Sequence, residues 1–230
     1  MNLITGQNKY TLKNLINQLL NRCLSAQSFE WISTKSALIE QEEGAVQLSM
    51  TFAQVSRYAP KIQLDRDAPE IEAIGSLVPG CDPSNWSVAT LCRIALIMRI
   101  KDVGAELYLR KISGLFTAAE MNELVALYTA LPFLEHSTQW IARCEEGIRS
   151  NIGIVLEAIM YGNPYPAAFL PEASWNQMVL KAFFTEKNVE AIIGLKERNN
   201  SVLQSTLKDY IEERVAAGRI VQPGIYTLIY

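Results

Sequence analysis

Apolar residues recur at spacings of three and four over most of this chain, which is the pattern of amphipathic α-helices. The same periodicity continues across several segments, and strand-like alternation is confined to residues 225–230. The predicted helices begin near residue 10 and cover about residues 29–42, 45–58, 69–75, 103–115, 118–131 and 137–161. Three further helices are predicted from their apolar residues: one that starts at residues 82–84 and carries Val88 to Met98, one that carries Trp175 to Phe183, and one that carries Leu203 to Val215 and ends at Gly218. The pattern therefore predicts an all-α fold.

Local signals place some helix ends. Ser28 can cap the second helix, and the spacing of Thr117 and Glu120 predicts a capping box. Pro69 suits the first turn of a short helix. The segment that begins at Asp82 leads into a helix that is apolar nearly all round, which predicts a buried central helix. The long helix over residues 137–161 stops at Gly162, and a proline-rich irregular loop follows it.

These elements predict one all-helical domain over residues 1–230. The chain has 230 residues, of which 49% are hydrophobic, so a sizeable core can form. Helix pairs recur about every 40 residues, which favours stacked antiparallel hairpins in a HEAT-like α-α superhelix. A compact helical bundle is the alternative.

Charge and cysteine usage narrow the functional classes. The net charge of −3 and the lack of a basic run argue against nucleic acid as a partner. Four cysteines without a CxxC pair, and a single histidine, argue against a zinc site and are typical of a reducing compartment. No segment has the length of apolar sequence that a signal peptide or a membrane span needs. We therefore expect a cytoplasmic protein without a metal or other cofactor.

The most distinctive text lies in the last 90 or so residues. It consists of WIARCEEGIRSN at 140–151, NPYP at 163–166, ASWNQMVLKA at 173–182 and DYIEERVAAGR at 209–219. In this order and spacing, the four segments resemble the EboA family of metabolite traffic proteins, and the resemblance covers roughly residues 137–221.

The resemblance implies a role in a process and not a known reaction. It implies a bacterial accessory protein that is encoded with a membrane prenyltransferase-like protein and with several soluble enzyme-like proteins. That group is associated with moving a secondary-metabolite precursor from the cytoplasm towards the periplasm. The expected partners are therefore other proteins of the group and a small-molecule metabolite, and the expected location is the cytoplasm, at the inner-membrane surface where a partner recruits the protein.

The candidate binding residues lie in or beside the segments that carry the resemblance. On the long helix, residues spaced three and four apart form a polar surface suited to an anionic or carbonyl-bearing ligand, or a solvated ion-pair face. Each other candidate can be a ligand contact or a structural contact between helices. The candidates are Arg143, Glu146, Arg149, Asn151, Asn163, Tyr165, Asn176, Lys181, Asp209 and Arg214.

Three functions stay open on the sequence alone. The first is a binding or scaffold protein that docks a metabolite or a partner. The second is a helical enzyme that uses Glu146 and Arg149, and the third is a structural subunit without a ligand. Recognised catalytic motifs are missing from the sequence, and His136 is the only histidine available to a catalytic triad. The binding function is therefore the preferred prediction.

Overall fold

The computed structural model describes residues 3–4, 6–60, 62–101 and 103–229. Within them the chain forms α-helices joined by turns and short 3₁₀ segments, and the two β-bridges are isolated pairs. The helices are α1 (Gly6–Cys23), α2 (Ala26–Gln41), α3 (Val46–Tyr58), α4 (Pro69–Leu77), α5 (Val88–Met98), α6 (Ala105–Ala118), α7 (Met121–Thr129), α8 (Ile141–Arg149), α9 (Gly153–Met160), α10 (Tyr165–Phe169), α11 (Glu172–Phe184), α12 (Ser201–Ala216) and α13 (Tyr226–Ile229). The all-α prediction is confirmed.

Helix α5 is the centre of the first half of the fold, as its apolar sequence predicts. Every residue of α5 except Ala89 is buried. It packs against α1, α2, α3 and α7, and α7 in turn packs against α9. Helices α8, α11, α12 and α13 extend this packing, and the buried apolar residues form one continuous cluster. Both a superhelix and a bundle fit this arrangement, so the HEAT-like repeat stays a prediction.

The prediction of one long helix over residues 137–161 is wrong, because the structure has two helices, α8 and α9, in this range. Helix α8 ends at Arg149 and α9 begins at Gly153. Asn151 between them has a left-handed backbone with φ of 59°, a conformation that asparagine tolerates better than most residues. The break lets α9 pack against α8, where a Cβ on Gly147 would lie 2.6 Å from the side chains of Ile159 and Tyr128.

Several predicted helix ends are also corrected. The capping box joins Glu120 and Glu123, whereas Thr117 lies inside α6 and its hydroxyl donates to the Ser113 carbonyl. Ser25, and not Ser28, caps α2. The residues after Gly162 form the short helix α10, and the predicted strand at 225–230 is helical over its described residues.

The starts of α5 and α1 differ from prediction as well. Residues 83–85 form a separate 3₁₀ turn, and α5 starts only at Val88, where the Ser87 hydroxyl accepts from the Thr90 amide. Helix α1 starts at Gly6, earlier than the predicted Tyr10. The earlier start places Lys9 and Lys13 four apart on one helix, and therefore on the same face.

Candidate functional site

The polar residues of α8 lie on an open helix face. Arg143 pairs with Glu146 at 2.7 Å between guanidinium and carboxylate, and the Glu146 side chain is 58% exposed. The same guanidinium lies over the Phe116 ring, 5.5 Å from its centre. Arg149 and Asn151 are exposed. These four residues therefore form a solvated surface that a large partner can reach, and not the wall of an enclosed cavity.

Asn163 and Tyr165 are buried and fasten α10 to the core. The Asn163 amide donates to the carbonyls of Tyr128 (3.0 Å) and Ala158 (2.9 Å), and its side-chain oxygen accepts from the Tyr165 amide. The Tyr165 hydroxyl donates to the Ser137 carbonyl at 2.5 Å, and burial raises the pKa of that hydroxyl. These bonds give both side chains a structural role.

The candidates on the last helices also make contacts within the protein. Asn176 and Asn200 exchange amide hydrogen bonds, which ties α11 to the N-terminal cap of α12. Lys181 donates to the Ile148 carbonyl near the end of α8, and burial lowers the pKa of its ammonium group.

Arg214 donates to the Ile220 carbonyl, and Asp209 is exposed. The ten candidates therefore do not converge on one cavity. Their role as ligand contacts stays a prediction.

A depression that the sequence analysis missed lies between the start of α1 and the end of α5. Its volume is about 430 Å³. It is lined by Gly6, Lys9, Tyr10, Lys13, Glu40, Arg99, Ile100 and Lys101. We call this depression the cationic groove, because four of these eight side chains carry a positive charge.

Ion pairs neutralise the cationic groove only in part. Glu40 uses one carboxylate oxygen towards both Arg99, at 3.0 Å, and Lys13, at 4.0 Å. Lys9 pairs with Glu135, which lies outside the lining. Four cations against these two carboxylates leave a surplus of two positive charges among the described residues.

Lys13 is partly buried and is repelled by neighbouring cations of the groove. Its side chain is only 24% exposed. Burial lowers the pKa of its ammonium group, and repulsion from Lys9 and Arg99 lowers it further, while Glu40 and Glu135 act in the opposite direction. An anion placed in the groove would relieve this repulsion, so the arrangement favours binding of negative charge.

A smaller cavity adjoins the cationic groove between α1 and α2. Its volume is about 200 Å³, and it shares Glu40 and Arg99 with the groove. Its other lining residues are Asn17, Leu20, Phe29, Ile32, Ser33, Ser36 and Ala37. We call it the α1–α2 cavity. The Arg99–Glu40 ion pair therefore lies between the cationic groove and the α1–α2 cavity.

One weak signal in the sequence could have pointed to the groove. Lys9 and Lys13 form a like-charge pair four apart on a helix, which is unfavourable on its own. Arg99 and Lys101 follow the last turn of the buried helix, where a cation also complements the helix dipole. Only the fold brings the two pairs together.

A second depression, of about 470 Å³, lies beside His136. Its lining is Ala105, Glu106, Leu109, His136, Ser137, Thr138 and Gln139, in which Glu106 is the one carboxylate. His136 has a left-handed backbone, and its ring lies edge-on to Tyr108. This lining lacks the concentrated charge of the cationic groove, which is therefore the stronger candidate site.

Thiol chemistry and metal binding find little support in the described part of the chain. Burial raises the pKa of the Cys81 and Cys144 thiols, and raises that of Cys92 to about 12, so these thiols stay protonated at neutral pH. Over residues 3–4, 6–60, 62–101 and 103–229, no group of three His, Cys, Asp or Glu side chains could hold a metal ion.

Among the helices described above, none combines the length and the apolar character needed to cross a bilayer.

Comparison with known proteins extends the resemblance found in the sequence. The family model described as metabolite traffic protein EboA matches residues 12–230, nearly the whole chain, whereas the resemblance read from the sequence covered only 137–221. Comparisons with curated proteins and with solved structures gave no match. The matched range includes Lys13, Glu40 and Arg99 of the cationic groove as well as all of α8. The chain belongs to the EboA family of metabolite traffic proteins.

Proposed function

We propose that this chain is a non-enzymatic accessory protein that binds an anionic metabolite precursor in the cationic groove and presents it for export. The observation that carries the proposal is the surplus of two positive charges that the described residues place around a depression of about 430 Å³. The half-buried ammonium group of Lys13, which Lys9 and Arg99 repel, is stabilised when an anion binds beside it. The charges of the groove therefore favour the binding of an anion.

The direction of transport and the partner belong to the same proposal. Metabolite traffic is the described role of the family. The resemblance implies delivery from the cytoplasm towards the periplasm through a membrane prenyltransferase-like partner, with other proteins of the group also in contact. In this proposal the chain works in the cytoplasm and reaches the inner-membrane surface through that partner.

We assign partner contact to the face of α8 that carries Arg143, Glu146, Arg149 and Asn151. Glu146 and Arg149 are exposed, and the Arg143–Glu146 ion pair spans one turn of a helix that ends at the left-handed Asn151. Exposed charges of this kind set specificity and association rate at an interface more than raw affinity. Their open placement supports a contact role over the catalytic role that Glu146 and Arg149 would have in a helical enzyme.

The experiment is complementation of a strain that lacks this chain. We expect the deletion to leave the precursor on the cytoplasmic side of the inner membrane and the wild-type chain to restore export. Arg149→Ala should reduce capture of the membrane partner and lower export, because it removes an exposed cation from the α8 face without touching the groove. Extracellular precursor and co-purified partner are measured in each strain.

Lys208→Ala is the matched control for Arg149→Ala, since Lys208 is an exposed cation on α12. It should export like the wild type. If Arg149→Ala retained both partner capture and export, the assignment to α8 would be wrong. If the deletion strain exported the precursor normally, the proposed function itself would be wrong.

A further inference from the structure

We infer that the ligand of the cationic groove is an amphipathic phosphate: a phosphate or diphosphate head held by Lys13 and Arg99, with a short apolar extension in the α1–α2 cavity. In this proposal Glu40 competes with that head for Lys13 and Arg99. The inference rests on the proposed function and specifies its substrate class.

The charge of the groove favours a phosphate as the head group of the ligand. Among the described residues, four lining cations, less the charges of Glu40 and Glu135, leave two positive charges to be balanced. A phosphate monoester carries close to two negative charges at neutral pH. Arg99 adds the planar guanidinium fork that binds phosphate oxygens in pairs. A dianionic phosphate therefore matches the groove better than a single carboxylate does.

Glu40 is placed to compete with the head. The same carboxylate oxygen contacts Arg99 at 3.0 Å and lies 4.0 Å from Lys13, so it occupies the position where a phosphate oxygen would bridge the two cations. The Glu40 side chain is 43% exposed. Glu40 is the exposed member of these ion pairs, so an incoming phosphate can displace its carboxylate into solvent while Arg99 and Lys13 stay paired with the phosphate.

Displacement of the Glu40 side chain would connect the cationic groove with the α1–α2 cavity. The Arg99–Glu40 pair belongs to the lining of both the groove and the α1–α2 cavity. Beyond the pair, the lining is mixed: Phe29 and Ala37 supply most of its exposed apolar surface, because Leu20 and Ile32 are each only 2% exposed. The polar part of the lining is Asn17, Ser33 and Ser36. A space of about 200 Å³ equals the liquid volume of about six water molecules at about 30 Å³ each, and a methylene group is similar in size to a water molecule. The extension is therefore a short chain or a single ring.

The experiment is titration calorimetry of the purified full chain at low ionic strength. The probes are inorganic phosphate, the monoalkyl phosphates from methyl to octyl, and hexanol as a tail without a head. We expect affinity to rise by about two- to fourfold per methylene, up to about six carbons, and then to level off, because each buried methylene contributes in that range. Hexanol should bind at least a hundredfold more weakly than hexyl phosphate.

Two variants separate the head from the tail. Glu40→Gln should bind every phosphate probe about fivefold more tightly, since it removes the competing carboxylate. Ala37→Leu should weaken hexyl phosphate but leave inorganic phosphate unchanged, because the added side chain enters the α1–α2 cavity. The controls are Glu30→Gln on the same helix and Ala53→Leu on α3, both at exposed positions.

The outcomes keep the two proposals apart. If all phosphates bound equally well at every chain length, or if Glu40→Gln did not raise affinity, this inference would fail while anion binding in the groove stood. If no phosphate bound and charge reversal at Lys13 left export intact, the proposed function would fail with it. Tighter binding by Glu40→Gln together with a chain-length limit would support the inference.

Discussion

Charge reversal at Lys13 is expected to weaken the binding of inorganic diphosphate to the cationic groove by about 100-fold. One charge-assisted hydrogen bond contributes about 1.5–3 kcal/mol, which is roughly a 10- to 150-fold change in affinity. Lys13→Glu removes that bond and adds a repulsive carboxylate beside Glu40. The folded protein should tolerate the change, because the variant relieves the repulsion of Lys13 by Lys9 and Arg99. Titration calorimetry measures the dissociation constant.

Lys208→Glu provides the matched charge reversal, at an exposed site on α12, and should bind diphosphate like the wild type. The wild-type affinity should also fall as the pH rises. Lys13 attracts the anion only while protonated, and its lowered pKa brings the loss of that proton below the usual range for lysine. A Lys13→Glu protein with wild-type affinity would show that the anion binds elsewhere.

The second large effect is on stability, at Arg93 in the middle of α5. Arg93 is only 1% exposed. Its guanidinium donates to the Phe52 carbonyl at 3.2 Å and to the Ser56 hydroxyl at 2.9 Å, and it lies 3.7 Å from the Glu123 carboxylate. Arg93→Met should lower the free energy of unfolding by about 3–5 kcal/mol, because it leaves Glu123 buried without its partner. Urea unfolding followed by circular dichroism measures the loss.

A second substitution tests the cause of that loss. Glu123→Gln removes the orphaned charge and keeps an oxygen that can accept from the Glu120 amide in the capping box. Added to Arg93→Met, it should restore part of the lost stability. Arg57→Ala, an exposed arginine on α3, should change stability by less than about 0.5 kcal/mol. Equal losses in Arg93→Met with and without Glu123→Gln would contradict the buried-charge explanation.

Much of the fold was predictable because apolar periodicity records which helix faces are buried. The all-round apolar sequence of α5 and the stripe at Trp175, Met178 and Val179 both correspond to buried surfaces. The break after α8 was missed because apolar residues continue at helical spacing on both sides of it. What interrupts the helix is the left-handed backbone of one residue, Asn151, and asparagine in sequence is only a weak sign of that conformation.

The candidate site was harder to predict, for a physical reason. The most distinctive sequence lies in the last 90 or so residues, but distinctive polar residues such as Asn163 also serve to satisfy buried backbone groups. The cationic groove draws Lys13 from α1, Glu40 from α2 and Arg99 from the residue that follows α5, and Glu40 and Arg99 are 59 positions apart in the chain. No local pattern encodes that proximity, so only the fold reveals it.

The central claim is that the cationic groove binds anions, and mapping of amide chemical shifts during a diphosphate titration tests it most directly. The account predicts that the largest changes fall on residues 9–13 of α1, on Glu40 and on residues 99–101, and that they saturate together. Changes confined to α8, or no change at millimolar diphosphate, would contradict it.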